Sequence, residues 1–299
     1  MNAPEPSVVM IDGRIVPSDQ AVVSVFDRGF LYGDSVYEAM RTYEGVVFAL
    51  REHMDRLVRS ARQVFIDIPV PIERLSSEVE QVAAALPGAS NMLRVHVTRG
   101  TSPLGLDMVQ ARDPSRVIIA VPLHPPSDAD YRDGIGVVLV QTQRTADNTE
   151  AAGAKVANYL VSLLALREAH AAGAKEAIIL DSRGRVLEGA TSNVFAVCQG
   201  CLCTPPVSEG ILSGITRSFL LRAARSIRIP LREATLMRGE LLAADEAFIS
   251  STSREVLPVT QVDGQLVGHG RVGPITRAIH REFRRLGGLS TTLPGDLAP

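Results

Sequence analysis

Lys155–Val156–Ala157–Asn158–Tyr159 stands just ahead of a long apolar helical pattern, and Glu188–Gly189–Ala190–Thr191–Ser192–Asn193 follows further along the chain. The glutamate sits in a segment of small and polar residues between two strand-like runs, Arg185–Leu187 and Asn193–Val197. Lysine is the side chain that forms Schiff bases with carbonyl compounds. A carboxylate in a small-residue loop is suited to pair with a protonated ring nitrogen. Chemistry of that kind also needs a cradle for an anionic group and a pocket for substrate.

Outward on the C-terminal side, Gly214–Ile215–Thr216–Arg217 opens a helix that runs to about Ser226. A glycine and then a hydroxyl residue at a helix start leave amides and the positive end of the dipole facing an incoming anion. Serine and threonine caps without any ligand are the commoner use of such a start. The strand Glu246–Ile249 runs directly into Ser250–Ser251–Thr252–Ser253, a dense set of hydroxyl donors. Nearer the lysine, Asn158–Ala172 reads as a helix with Leu160, Leu163, Leu164, Leu166 and Ala171 apolar and Gly173 as its stop. With the strands Ile135–Gln141 and Glu176–Leu180 these segments form a second, larger domain over 133–286, and the tail 287–299 is expected to be disordered.

On the N-terminal side, the proline-rich and polar stretch Leu123–Asp130 reads as the interdomain linker, set at 123–132. The smaller first domain, 1–122, opens with a hairpin, Val8–Ile11 and Arg14–Val16, turning at Asp12–Gly13. Val22–Phe26, Ala39–Tyr43 and Val117–Val121 read as further strands. Leu50, Met54, Leu57 and Ala61 recur at helical spacing, and a second helix covers Ile72–Leu86. In the strand Asn91–Gly100, Arg94, His96 and Thr98 share one face while Leu93, Val95 and Val97 share the other. Tyr32, Tyr37 and Tyr43 crowd the stretch that begins at Phe30, as pocket lining or as half-buried sheet residues. Strands and helices mixed through both domains give an α/β (α+β two-domain) fold class.

The chain of 299 residues is 45% hydrophobic and 21% charged, with net charge −2. That balance offers no electrostatic case for nucleic acid or an anionic membrane. No apolar run is long enough to span a bilayer. Met1–Pro6 has neither the basic start nor the apolar stretch of a secretory signal, so a cytoplasmic enzyme is expected. Cys198, Cys201 and Cys203 are too few for a four-ligand zinc site, and they read as reduced thiols flanking a hairpin turn at Gln199–Gly200; no metal is expected.

Taken together, Lys155–Tyr159, Glu176–Ala177, Leu187–Phe195 and Gly214–Arg217 give the sequence a resemblance to the class IV, fold-type IV pyridoxal-phosphate aminotransferases. That family includes branched-chain aminotransferases, D-amino-acid aminotransferases and aminodeoxychorismate lyases. The resemblance runs from Val9 to about Leu286. It implies a barrel-like mixed sheet in the larger domain, a homodimer and the cofactor pyridoxal 5'-phosphate. Lys155 matches the Schiff-base lysine, Glu188 the partner of the pyridine nitrogen and Tyr159 the partner of the phenolic oxygen. Arg56, in Glu52–His53–Met54–Asp55–Arg56–Leu57, matches the phosphate-binding arginine. Gly214, Ile215, Thr216, Ser251 and Thr252 match the other phosphate donors, and Ser192 and Asn193 hold the cofactor loop. Tyr32, Tyr37, Arg41, Arg94, Leu104, Leu106 and Ser253 match substrate positions. D-amino-acid enzymes carry an arginine and a histidine where this chain has Leu104 and Leu106, and an apolar loop cannot grip a carboxylate in two places. Branched-chain enzymes are closer at Tyr32–Gly33, Val36, Glu38, Arg41 and Leu104–Asp107, although Ala39, Met92 and Leu257 depart from their pattern. The implied reaction is ping-pong transfer of an amino group from an apolar L-amino acid to 2-oxoglutarate. A D-amino-acid or (R)-amine aminotransferase, an aminodeoxychorismate lyase and a non-catalytic cofactor-binding protein are the alternatives. Arg41, Arg94 and the amides near Thr252 all stand as candidates for the substrate carboxylate.

Overall fold

The computed structural model describes residues 6–141 and 151–296. The chain divides into two compact units, one formed by 1–124 with 154–158, the other by 125–153 with 159–299. The expectations drawn from the first five residues and the last three lie outside the described residues.

In the first unit the elements are β1 (Val8–Ile11), β2 (Arg14–Val16), α1 (Arg28–Tyr32), β3 (Ser35–Tyr43), β4 (Val46–Val47), α2 (Leu50–Gln63), α3 (Ile72–Ala85), β5 (Asn91–Thr98) and β6 (Arg116–Pro122). They form a sheet in the order β2-β1-β6-β5-β3-β4. Alternation along β5 buries Leu93, Val95 and Val97 completely against Leu57, Leu75, Val79 and Val82 of the two helices. The opposite face, with Arg94, His96 and Thr98, is only half-buried. Antiparallel register sets Tyr37 across from His96 and Ala39 across from Arg94.

In the second unit the elements are α4 (Asp128–Asp133), β7 (Ile135–Gln141), α5 (Leu160–Ala171), β8 (Glu176–Leu180), β9 (Arg185–Gly189), β10 (Asn193–Cys198), β11 (Cys201–Thr204), α6 (Ile215–Ser226), β12 (Leu231–Glu233), β13 (Leu236–Met237), α7 (Arg238–Leu242), β14 (Glu246–Ser251), β15 (Glu255–Val262), β16 (Gln265–Leu266) and α8 (Pro274–Leu286). Their mixed sheet runs β12-β11-β10-β14-β15-β7-β8-β9-β13, with β16 on β15. Phe195 and Phe248 stack at 4.8 Å in its interior. The Cys198–Cys203 region is the hairpin read from the sequence, with Cys198 directly opposite Cys201.

Several expectations change. Val22–Phe26 forms no strand, and Val22, Val23, Val25 and Phe26 are exposed. The stretch 123–132 is not simply a linker. Ser127 closes a capping box with Asp130 that starts α4, and Tyr131 is buried. Part of the tail is packed: Leu293 is buried and Asp296 pairs with Arg277. Leu160, Leu163 and Leu164, apolar residues of the helix read from the sequence, are more than half exposed. The segment carrying Lys155 belongs with the first unit rather than the second, because Val36 and Val156 form an antiparallel bridge.

Candidate active site

Lys155 is held at three points, all within the first unit. Its amide donates to Ser60 Oγ of α2 at 3.0 Å. Its carbonyl accepts from the Tyr37 amide at 3.0 Å, and Ala157 N–H donates to Ser35 O, so residues 155–157 lie along the free edge of β3. The Lys155 Nζ donates to the Tyr37 hydroxyl at 2.9 Å. The ammonium also lies 4.3 Å from the Tyr37 ring centroid.

Tyr37 connects the lysine to β5. Its ring stacks on His96 at 5.7 Å, and the Arg94 guanidinium lies 4.6 Å from its centroid. Arg94 Nε in turn donates to His96 Nε2 at 2.6 Å. Arg41 lies on the same face of β3 but at its far end, where it stacks on Tyr43 at 4.0 Å and donates to Ser90 Oγ. Of the two arginines considered for a substrate carboxylate, Arg94 is therefore the one grouped with Lys155.

Below this face lies a charged cluster. Arg56 donates to both oxygens of Glu38 at 2.7 Å, and His53 Nδ1 meets Glu38 Oε2 at 2.7 Å. All three residues are buried. Burial alone would raise the Glu38 pKa, but the bonds and charge of Arg56 and His53 outweigh it and hold the carboxyl at about 2. Burial pushes the His53 imidazole below its usual range, towards the neutral ring.

Tyr32, Leu104 and Leu106 are grouped elsewhere in the first unit. The Tyr32 hydroxyl accepts from Gly105 N–H, and Arg28 donates to the Gly105 and Leu106 carbonyls. This joins α1 to the 101–112 loop. Leu104 and Leu106 are 74% and 78% exposed.

In the second unit a hydrogen-bonded corner forms around Leu212. Glu188 Oε2 accepts the Leu212 amide at 3.1 Å, while Asn193 Nδ2 donates to the Leu212 carbonyl at 3.0 Å. Two residues on, Gly214 precedes α6, and no side chain caps its first turn. A Cβ at Gly214 would lie 2.0 Å from Asn193 Oδ1, so only glycine allows this approach. At Gly189 an added Cβ would lie 2.1 Å from Ser192 Oγ, which would have to rotate to clear it. The α6 start thus presents Ile215 and Thr216 with its dipole behind them. Ser250 Oγ is buried without a hydrogen-bond partner among the described residues, and Ser251 and Ser253 share a hydroxyl contact of 3.3 Å. Tyr159 stands at the start of α5.

Sequence reasoning gave no role to Ser60, His96 or Arg254, and noted Glu38 and Glu176 only as parts of motifs. Glu176, fully buried, accepts from Thr191 Oγ1 at 2.7 Å and pairs with Arg254. It therefore ties the Glu188–Asn193 loop to the turn that bears Thr252. Among the described residues no group of three His, Cys, Asp or Glu side chains is placed to hold a metal ion. Among them, too, no helix is long and apolar enough to cross a membrane.

Comparison with known proteins gives this arrangement its context. The family model described as amino-transferase class IV matches residues 35–262. A provisionally named branched-chain-amino-acid aminotransferase of Methanocaldococcus jannaschii is 40% identical over 276 residues, covering 92% of this chain and 95% of that one. A D-alanine aminotransferase of Bacillus licheniformis is 33% identical, covering 91% and 94%. The crystal structure of the Escherichia coli branched-chain amino acid aminotransferase superposes with a TM-score of 0.89 at 35% identity, covering 93% of this chain and 94% of that one. A fold of two mixed α/β units, a thrice-held lysine and a match across most of the length agree: the chain belongs to the class IV aminotransferases.

Proposed function

We propose that this enzyme is a pyridoxal-phosphate-dependent aminotransferase that moves the amino group of an apolar L-amino acid to 2-oxoglutarate by a ping-pong route, with Lys155 as its essential amine. The observation that carries the reading is the fixing of Lys155 through its amide, its carbonyl and its ammonium, the last on Tyr37 at 2.9 Å. A solvated lysine needs no such restraint.

The donor set fits the cofactor. The uncapped α6 start, Thr216, Ser251, Thr252 and the Ser250 hydroxyl, unpaired among the described residues, are the chemistry a phosphate requires. Glu188 suits a protonated pyridine nitrogen and Tyr159 a phenolic oxygen. Ser192 and Asn193 keep their loop in shape. When bound, pyridoxal phosphate supplies an electron sink for the charge left at the substrate Cα.

The protein's own groups do the rest. With the cofactor bound, the Lys155 amine would be the group to take the proton from the substrate Cα and to return it. Tyr37 keeps that amine in place between turns. Glu188 would hold a proton on the ring nitrogen of the bound cofactor. Arg94, over the Tyr37 ring, receives the substrate carboxylate; Ser253 lies in the hydroxyl turn beside Thr252.

The apolar L-substrate reading is supported by the branched-chain names among the relatives and by leucines at 104 and 106. The D-alanine aminotransferase at 33% identity favours a second reading, transfer from a D-amino acid. We also propose that two copies of the chain pair through the first unit. Val22, Val25, Phe30, Leu104, Leu106 and Val109, each more than 60% exposed, lie on two segments joined by the Arg28 and Tyr32 bonds. An apolar surface of that kind marks an interaction site.

The test is spectroscopic. Adding pyridoxal phosphate to the purified protein should produce a visible absorption band that L-leucine discharges, and Lys155→Ala should remove the covalent band and cut turnover by roughly 10³-fold. A protein that stays colourless, or a Lys155→Ala variant with full turnover, contradicts the reading.

A further inference from the structure

Resting on the reading above, we propose that His96 is a positioning residue for substrate selection: its imidazole holds the Arg94 guanidinium in the plane in which it meets the carboxylate of the keto-acid substrate. Three observations lead there. First, β5 alternation and the antiparallel register put Arg94, His96 and Tyr37 on one face, with His96 directly across from Tyr37. Second, Arg94 Nε donates to His96 Nε2 at 2.6 Å, a short, charge-assisted bond. Third, both side chains lie against the Tyr37 ring, the histidine stacked at 5.7 Å and the guanidinium at 4.6 Å, and the same tyrosine bonds Lys155 Nζ at 2.9 Å.

The protonation state follows from the geometry. Arginine can only donate, so Nε2 must carry the lone pair and the ring proton sits on Nδ1. Burial, helped by the charge of Arg94, pushes the His96 pKa down to about 4, so the ring is neutral at working pH. An engaged Nε fixes the plane of the rigid guanidinium fork and directs its terminal nitrogens, whereas an arginine without such a brace samples many rotamers. Ala39, opposite Arg94 in the register, is small enough not to crowd it. Preorganisation of this kind lowers the cost of binding an anion and leaves the proton chemistry at Lys155 untouched.

His96→Leu removes the acceptor, and His96→Gln replaces it with an amide oxygen. Each variant is first checked for its thermal midpoint and for the visible band with pyridoxal phosphate. His96→Leu should raise KM for 2-oxoglutarate about tenfold with kcat within about twofold of the parent, and His96→Gln should restore most of the loss. An unchanged KM in His96→Leu, a fall in kcat in place of a rise in KM, or identical behaviour of the two variants would overturn the proposal. A parent protein without the band would defeat the cofactor reading instead, so the two failures are told apart.

Discussion

Glu38 has no exposed surface, yet its carboxylate meets Arg56 through two bonds and His53 through a third. Glu38 thereby braces the arginine assigned to phosphate. Removing one partner of such a cluster strands the other charge, so Glu38→Gln should cost about 3–5 kcal/mol of stability at neutral pH, measured by denaturant unfolding. The same residues set the acid limb of stability. Glu38 and Glu255 are held near 2 in the folded chain against an ordinary 4.5, as their arginine and histidine partners outweigh burial. Folded pKa values below the unfolded ones mean stability that is complete above about 4.5 and lost as pH falls towards 2. His96 is lowered to about 4 from 6.5, so its contribution is complete above 6.5 and fades between 6.5 and 4. The thermal midpoint should therefore be flat above pH 6.5, decline gently below it and fall more steeply below 4.5; a midpoint independent of pH over that range contradicts the assignment. None of this was legible residue by residue. Glu38, His53 and Arg56 occur in two segments read separately, and only the packing of α2 on β3 joins them.

At the level of elements, the α6 start is where backbone geometry and chemistry coincide. Gly214 leaves room for Asn193, which with Glu188 grips both polar groups of Leu212. Gly214→Ala would drive its methyl into Asn193 Oδ1 and displace the first turn. The expected result is pyridoxal-phosphate affinity weaker by at least about tenfold in an absorbance titration, with a stability loss of about 1–3 kcal/mol; unchanged affinity would separate this turn from the cofactor. The glycine–hydroxyl pattern was readable, because a helix start has a local signature. So were β5 and α2, whose periodicity decides which face is buried. Val22–Phe26 misled because β-branched residues there do not pair but lie exposed. The helix at Leu160–Ala171 was legible, and the exposure of its leucines was not: hydrophobicity marks a surface to be covered without saying that this chain covers it. The linker concealed α4, whose Ser127–Asp130 cap was visible in the residues but outweighed by the neighbouring prolines.

Over the whole molecule, the division into two units was legible from composition, and the place of Lys155 was not. A short segment adding to the edge of β3 across more than a hundred residues leaves no sequence signal. The exposed apolar segments at 22–30 and 104–109 are the surface proposed to meet a second copy. Analytical ultracentrifugation of the cofactor-loaded protein should give twice the mass of the 32.1 kDa chain, and Leu106→Glu with Val109→Glu should shift it towards the single chain; a single-chain species in the parent would contradict the pairing. The choice of substrate is the most demanding part of the account. The measurement that bears on it most directly is a single-turnover half-reaction, in which loss of the visible band is followed after mixing the loaded enzyme with L-leucine or, separately, with D-alanine. L-leucine should discharge the band at least about tenfold faster; faster discharge by D-alanine would contradict an L-amino-acid substrate.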